Sequence, residues 1–563
     1  MELTNRITPM QRFWRLLHPD RKEIRNVYVY AVFNGLINLS LPLGIQAIIN
    51  LIQGGQVSTA WVVLVSVVVL GVAATGVLQI AQLRITENLQ QKIFARSAFE
   101  FAFRIPRIKM EAIYKHYAPE LMNRFFDTLT VQKGLSKILI DFSSAALQVL
   151  FGLILLSFYH PFFIIFSLIL ILLVFAIFRL TARPGLVTSL EESKFKYKVA
   201  HWLEELARTG TTFKLAGKSE LPLSRMDKEV GDYLESRENH FKVLVKQYSM
   251  MVGFKAFVAA GLLAMGGILV MQQLMNIGQF VAAEIIILLI MSSVEKLVLS
   301  LETIYDVVTA LEKIGQVTDL EIEETRGVES ICKEDDCGMK ISLRDVRFAY
   351  PDGDKKILCG INLDIEGRES VVITGKNGSG KSTLLQIIAG LYDVNQGQVI
   401  YNDLPKGNLD LTTLRSNIGD CLTQEQLFDG TILENIAMGR EGATFENVKW
   451  AVQNLKLERF INSLPNGYDT LVDPQGKKLP RSAMQKLLLA RSIADRPKLL
   501  LLEDALEHLD SEERKSIVDF LLRKENDWTI VAVSSDPYFQ SKADKVIDMQ
   551  DGCFMNGQKP AEH

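Results

Sequence analysis

The sequence predicts a multidomain membrane protein, in which an all-α domain of six transmembrane helices precedes an α/β domain built on a phosphate-binding loop. Three observations carry this reading. Six apolar stretches occupy much of residues 27–301, each close to the ~20 residues that cross a bilayer as a helix. A polar, acidic run over 318–340 then separates them from the remainder. Beyond it, residues 371–385 read Val-Val-Ile-Thr-Gly-Lys-Asn-Gly-Ser-Gly-Lys-Ser-Thr-Leu-Leu, a strand, a Gly375-x-x-x-x-Gly380-Lys381-Ser382 loop and a helix-compatible run.

Composition agrees. The chain has 563 residues, too many for one core, and 48% of them are apolar. Mean hydropathy is positive, as expected where part of a chain lies in lipid. A net charge of −3 gives no case for a nucleic-acid partner. Five cysteines are scattered, at Cys332, Cys337, Cys359, Cys421 and Cys553. Only the first two lie close together, and no second pair or histidine cluster completes a zinc site, so free cytosolic thiols are expected. The first apolar run is long and lacks a small-residue cleavage site, which argues against a cleavable signal peptide.

Residues 9–25 mix Phe13, Trp14, Leu16 and Leu17 with Arg12, Arg15, Arg21, Lys22 and Arg25. They suit an amphipathic helix on an anionic membrane surface, or a solvated basic terminus. The spans follow at about 27–52, 60–82, 138–158, 161–181, 248–271 and 279–301. The short links within the three successive pairs contain no Lys or Arg, whereas the long connections 84–137 and 182–246 are rich in both. Positive charge is retained inside, so both termini and the long connections are expected in the cytoplasm of a cell-membrane protein. Those connections also read as helical, so the helices should extend past the bilayer. Glu284 stands inside the sixth span, where an ionisable residue either faces a pathway or is paired or snorkelling. Lys255 and Asp141 sit near helix ends, where snorkelling accounts for them.

The domain division expected is 1–317, a linker at 318–340, and 341–563. In the last part, strands at 340–348, 357–365 and 371–374 precede the loop, and strands at 498–502 and 529–533 follow a helix-rich section. The loop thus lies at the C-terminal end of a strand. Glycines at 375, 378 and 380 let backbone N–H groups curl around phosphate oxygens. Lys376, Asn377, Ser379 and Thr383 complete the cradle. Lys381 adds a point charge, Ser382 a hydroxyl suited to Mg²⁺, and the following helix its positive dipole end.

Membrane half, linker and nucleotide half in this order resemble an ATP-binding cassette (ABC) exporter half-transporter over nearly the whole chain. Phe348-Ala-Tyr350 resembles the family's adenine-stacking loop. Gln424 resembles the glutamine that reaches Mg²⁺ and water and senses the membrane half. Residues 471–476 match the family's cross-linking loop, and residues 114–123 and 211–217 match the two coupling loops. The resemblance implies ATP and Mg²⁺ as cofactors, and a homodimer or a heterodimer with a second half-transporter. The first span is similar to those of peptide and type I secretion exporters, some of which work with a periplasmic adaptor.

Three positions depart from the family's pattern. Its second phosphate motif ends a strand with Asp-Glu, but residues 499–510 carry Glu503 and then Asp504. Glu503 thereby takes the metal-side position and Asp504 that of the general base, one methylene shorter. The switch histidine is replaced by Ser535. The Leu-Ser-Gly-Gly-Gln signature, which in the family caps the partner subunit's ATP, reads Leu479-Pro480-Arg481-Ser482-Ala483. Two functions are therefore expected as alternatives: an exporter subunit with slow ATP hydrolysis, or an ATP-binding regulatory subunit with little turnover.

Overall fold

The computed structural model describes residues 8–53, 59–114, 116–324, 327–328, 338–351, 353, 355–423 and 426–555. It divides into two units: Met1–Pro106 with His116–Leu320, and Arg107–Lys115 with Glu321–His563. A short piece of the first long connection therefore packs with the second unit.

The first unit is helical. Among the described residues, six helical segments are long and apolar enough to cross a membrane: Pro9–Gln53, Thr59–Arg107, Pro119–Ser157, Pro161–Arg208, Leu221–Met271 and Ile277–Thr318. The 48 residues of Pro161–Arg208 reach about 70 Å, more than twice the hydrocarbon thickness. Apolar periodicity ends where the bilayer would, but the helical backbone continues. A core of Phe163, Phe166, Met251, Val258, Ile286 and Ile290 joins the later helices. Pro184 lies inside one of them, and beside it Gly185 leaves room for the Tyr305 ring, which a Cβ would meet at 2.4 Å. Tyr305 accepts from Gln247 at 2.7 Å and donates to the Thr181 carbonyl at 3.3 Å.

Two sequence expectations need correction here. Lys255 does not simply snorkel: its ammonium pairs with Glu295 of the neighbouring helix at 2.7 Å. Glu295 lies inside the sixth span, and only helix packing brings the two together. The acidic run, expected to be a solvated linker, is tied down in its described part. Asp319 pairs with Arg12 in the first unit. In the second, Ile322 bridges Ile108, and both Glu323 oxygens accept from Arg415 at 2.6 and 2.7 Å. Cys332 and Cys337 lie outside the described residues.

The second unit is α/β. Its strands are β1 (Ile341–Phe348), β2 (Leu358–Ile365), β3 (Ser370–Thr374), β4 (Gln396–Tyr401), β5 (Leu404–Pro405), β6 (Ile418–Cys421), β7 (Gly430–Thr431), β8 (Leu471–Val472), β9 (Leu499–Glu503), β10 (Thr529–Val533), β11 (Lys545–Gln550) and β12 (Cys553–Phe554). One sheet runs β12-β11-β3-β10-β9-β6, another β2-β1-β4-β5, and β7 pairs with β8. In the larger sheet β11, β3, β10, β9 and β6 are mutually parallel. Its central strands β9 and β10 are buried at every position, as their unbroken apolar runs require. The register pairs Val533 with Glu503 and Val533 with Ile373. The acids that end β9 and the loop that follows β3 thus emerge at the same edge of the sheet.

Candidate functional site

The phosphate-binding loop links β3 to the helix Lys381–Ile388. Its glycines are required individually. Gly375 has φ +138°, and a Cβ there would lie 2.2 Å from the Met549 carbonyl oxygen. Gly380, the residue before the helix, has φ +100°. The Lys381 ammonium donates to the carbonyls of Gly375 and Lys376 at 2.8 and 2.9 Å, closing the loop on itself. The Ser379 hydroxyl is buried and has no hydrogen-bond partner among the described residues.

A cavity of about 370 Å³ opens beside the loop, lined by Tyr350, Asn377, Lys381, Ser382, Glu503 and Asp504 among others. The chain thus gathers residues from four separate stretches around one space. Asp504 has φ +47° and donates its N–H to the Val533 carbonyl at 3.0 Å, which fixes the turn that follows β9. Burial raises its carboxyl above the ordinary range, and the charges of Glu507 and Glu503 push it the same way against Lys381. Glu503 is 8% exposed and accepts from the Thr423 N–H at 3.2 Å. Gln424, the next residue, lies outside the described residues.

The donor set suits a magnesium nucleotide. Loop residues from Asn377 to Thr383, the Lys381 side chain among them, line the cavity at a helix N-terminus, and the exposed Ser382 hydroxyl and the Glu503 carboxylate offer hard oxygen ligands.

Tyr350, which also lines the cavity, is held by aromatic packing and hydrogen bonds. Phe348 and Tyr392 meet its ring edge-on at 5.0 and 5.5 Å. Its hydroxyl lies 3.1 Å from Thr383 Oγ1 and donates to Gln386 Oε1 at 3.3 Å. Tyr114, from the segment Arg107–Lys115, stacks on it at 5.0 Å with 10° between the planes. Burial pushes the Tyr392 hydroxyl up to about 12, helped by Tyr350, Glu111 and Tyr114. The segment is anchored by Glu111, which accepts from the Asp393 N–H at 2.8 Å. Sequence reading identified Tyr350 but not the Tyr114 partnership. Tyr114 opens the segment 114–123 that resembles a coupling loop, but no local pattern marks a ring 236 positions away as its partner.

The remaining predicted residues do not line this cavity. Pro480 sits at the N-cap of the helix Arg481–Ile493, and among the described residues no side chain caps that end. Arg481 is exposed, Ser482 half-buried and Ala483 buried. Ser535 is exposed after β10. Next to it Asp536 caps the helix Pro537–Lys542 and pairs with Arg514 at 2.9 Å. Burial works against its charge, but Arg514 and the Phe539 and Tyr538 amides outweigh it and lower its pKa. In the first unit Glu284 is half-buried and without a partner among the described residues.

Comparison with known proteins agrees with this construction. The family model described as "ABC transporter" matches residues 358–507, and that described as "ABC transporter transmembrane region" matches 25–294. The chain belongs to the ABC transporter family. It has the exporter half-transporter architecture, a six-helix membrane domain followed by an ATP-binding domain. The transporter is 24% identical to the transport/processing ATP-binding protein ComA of Streptococcus pneumoniae, over 98% of this chain and 76% of that one. It is 29% identical to the uncharacterized ABC transporter ATP-binding protein y4gM of Sinorhizobium fredii, over 58% of this chain. That match spans about half of the relative, 56% of its length. The solved structure of a bacterial Atm1-family ABC exporter with ATP bound shares its fold, with TM-score 0.83, 18% identity and coverage of 95% and 94% of the two chains.

Proposed function

We propose that this chain is a subunit of an ATP-driven membrane exporter which binds Mg-ATP between two nucleotide domains and hydrolyses it slowly. The observation that carries the reading is the convergence of an intact phosphate loop, Lys381, Ser382 and two carboxylates on one cavity. Tyr350 stacks the base, and the amides of residues 375–383 with Lys381 hold the phosphates. Ser382, Glu503 and Gln424 are the groups suited to hold Mg²⁺, which when bound neutralises charge on the phosphates. Asp504 orients the attacking water and takes its proton.

Burial that raises the Asp504 carboxyl makes it a stronger base once ionised. Its shorter side chain withdraws that base by roughly 1 Å, a displacement that can cost ~10²-fold in rate. Ser535 retains a hydrogen-bonding group at the switch position without a ring. The helix end at Pro480 and Arg481 faces the ATP of a second half-transporter, identical or not, with Arg481 in place of the signature's donors. We place the termini and the second unit in the cytoplasm on the charge asymmetry of the connections. Glu284 is assigned to the translocation pathway, and a periplasmic adaptor is a candidate partner.

Phosphate release by the purified, reconstituted protein tests this. Mg²⁺-dependent release above that of Asp504→Asn is expected. Equal release by the two, alone and with a partner half-transporter, would instead identify a subunit that binds ATP and regulates without turnover.

A further inference from the structure

The helices α1 (Pro9–Leu17) and α2 (Arg21–Asn38) meet at a bend over His18–Asp20. The bend is pinned to the fold from its inner side. Leu17 and Val27 are buried in a cluster with Leu89 and Ile93, and Asp20, 4% exposed, pairs with Arg96 at 2.9 Å. Glu23 pairs with Lys92 at 2.6 Å. Asp20 of the bend and Glu23 of α2 are therefore both engaged by the helix Thr59–Arg104.

The outer side is different. A groove of about 790 Å³ runs along it, lined by Arg15, His18, Arg21 and Arg25 with Trp14 and Tyr28, and no carboxylate lines it. Among the described residues the side chains of these four basic groups have neither ion pair nor hydrogen bond. Arg21, Arg25, Tyr28, Val32 and Leu36 follow one another at helical spacing on one face of α2. Tyr28, Val32 and Leu36 are 46%, 36% and 49% exposed. Cationic groups thus give way to an aromatic ring and then to apolar surface over about 22 Å.

That sequence of chemistries matches one kind of molecule. Three guanidinium forks suit a phosphate diester, Trp14 and Tyr28 suit the level of the glycerol backbone, and the apolar strip suits an acyl chain. A free phosphate would use only the first part. We propose that the α1–α2 groove is a binding site for one anionic phospholipid, held by Arg15, Arg21 and Arg25 at the headgroup. The site is independent of the nucleotide chemistry proposed above.

The test uses the full-length protein in phosphatidylcholine nanodiscs carrying a minor fraction of phosphatidylglycerol with brominated acyl chains. Trp14 quenching is read as the difference between the wild-type chain and Trp14→Phe. Wild type should favour the brominated anionic lipid over an equal fraction of brominated phosphatidylcholine by about fivefold per arginine engaged. The triple variant Arg15→Gln/Arg21→Gln/Arg25→Gln should lose the preference while its quenching by brominated phosphatidylcholine, which reports insertion, stays unchanged. The corresponding Arg→Lys triple, which keeps the charge, should retain part of it. Glycerol phosphate and inorganic phosphate should not displace the lipid. A preference that survives the glutamine triple overturns the proposal, and so does displacement by the soluble phosphates as effective as that by unlabelled phosphatidylglycerol.

Discussion

Replacing Tyr114 by alanine isolates the part of nucleotide recognition that the sequence did not reveal. The ring lies parallel to Tyr350 at 5.0 Å, on a residue otherwise held by two edge-on rings and two hydroxyl contacts. An aromatic pair of this kind contributes about 0.5–1.5 kcal/mol beyond area burial. Tyr114 is 45% exposed, so about 1 kcal/mol is a reasonable loss, or roughly fivefold in ATP affinity. Equilibrium binding in an Asp504→Asn background removes turnover from the measurement. Tyr114→Ala should weaken ATP roughly fivefold by this reckoning and leave tripolyphosphate, which has no base, unchanged. Tyr114→Phe should bind ATP like the parent, because the stack needs the ring and not the hydroxyl. Equal losses for ATP and tripolyphosphate, or no loss for ATP in a folded protein, would refute the reasoning.

Other outcomes follow from the same geometry. Lys381→Ala should abolish ATP binding in an equilibrium assay, since it removes the charge that spans the loop; full nucleotide-dependent activity in that variant would contradict the assignment. Asp504→Glu should raise phosphate release, by up to ~10²-fold if reach is what limits the base. Asp504 must be ionised to accept a proton, and its pKa is raised, so turnover should increase with pH through a range above the ordinary carboxylate value. Glu507→Gln removes one of the charges that raise it and should move the acid limb of the rate profile to lower pH; a limb that stays in place would exclude Asp504 as its origin. Arg415→Ala should cost about 2 kcal/mol of local stability by breaking a part-buried bidentate pair, read as faster hydrogen exchange at residues 321–324.

Much of this protein was legible in the sequence for local reasons. Six apolar runs of bilayer length, the charge bias of their connections and the spacing Gly375 to Ser382 depend on neighbours a few positions apart. So do β3, β9 and β10, whose unbroken apolar runs report burial on both faces of a sheet. The pairing of distant residues was not legible. Lys255 looked like a residue reaching for the membrane surface until helix packing put Glu295 beside it. The acidic run looked solvated because its partners, Arg12, Lys109 and Arg415, lie elsewhere in the chain. Tyr114 opens the segment that resembles a coupling loop, but its stack on Tyr350 depends on distant contacts, Ile108 with Ile322 and Glu111 with the Asp393 N–H, that hold the segment in the second unit. The outward arginines of α1 and α2 were visible as composition, but only the inward engagement of Asp20 and Glu23 leaves them as a groove without counter-charge. Sequence by itself determined the elements and the chemistry they can carry. Tertiary structure decided which charges are neutralised and which rings meet, because those energies depend on distances that chain position does not encode.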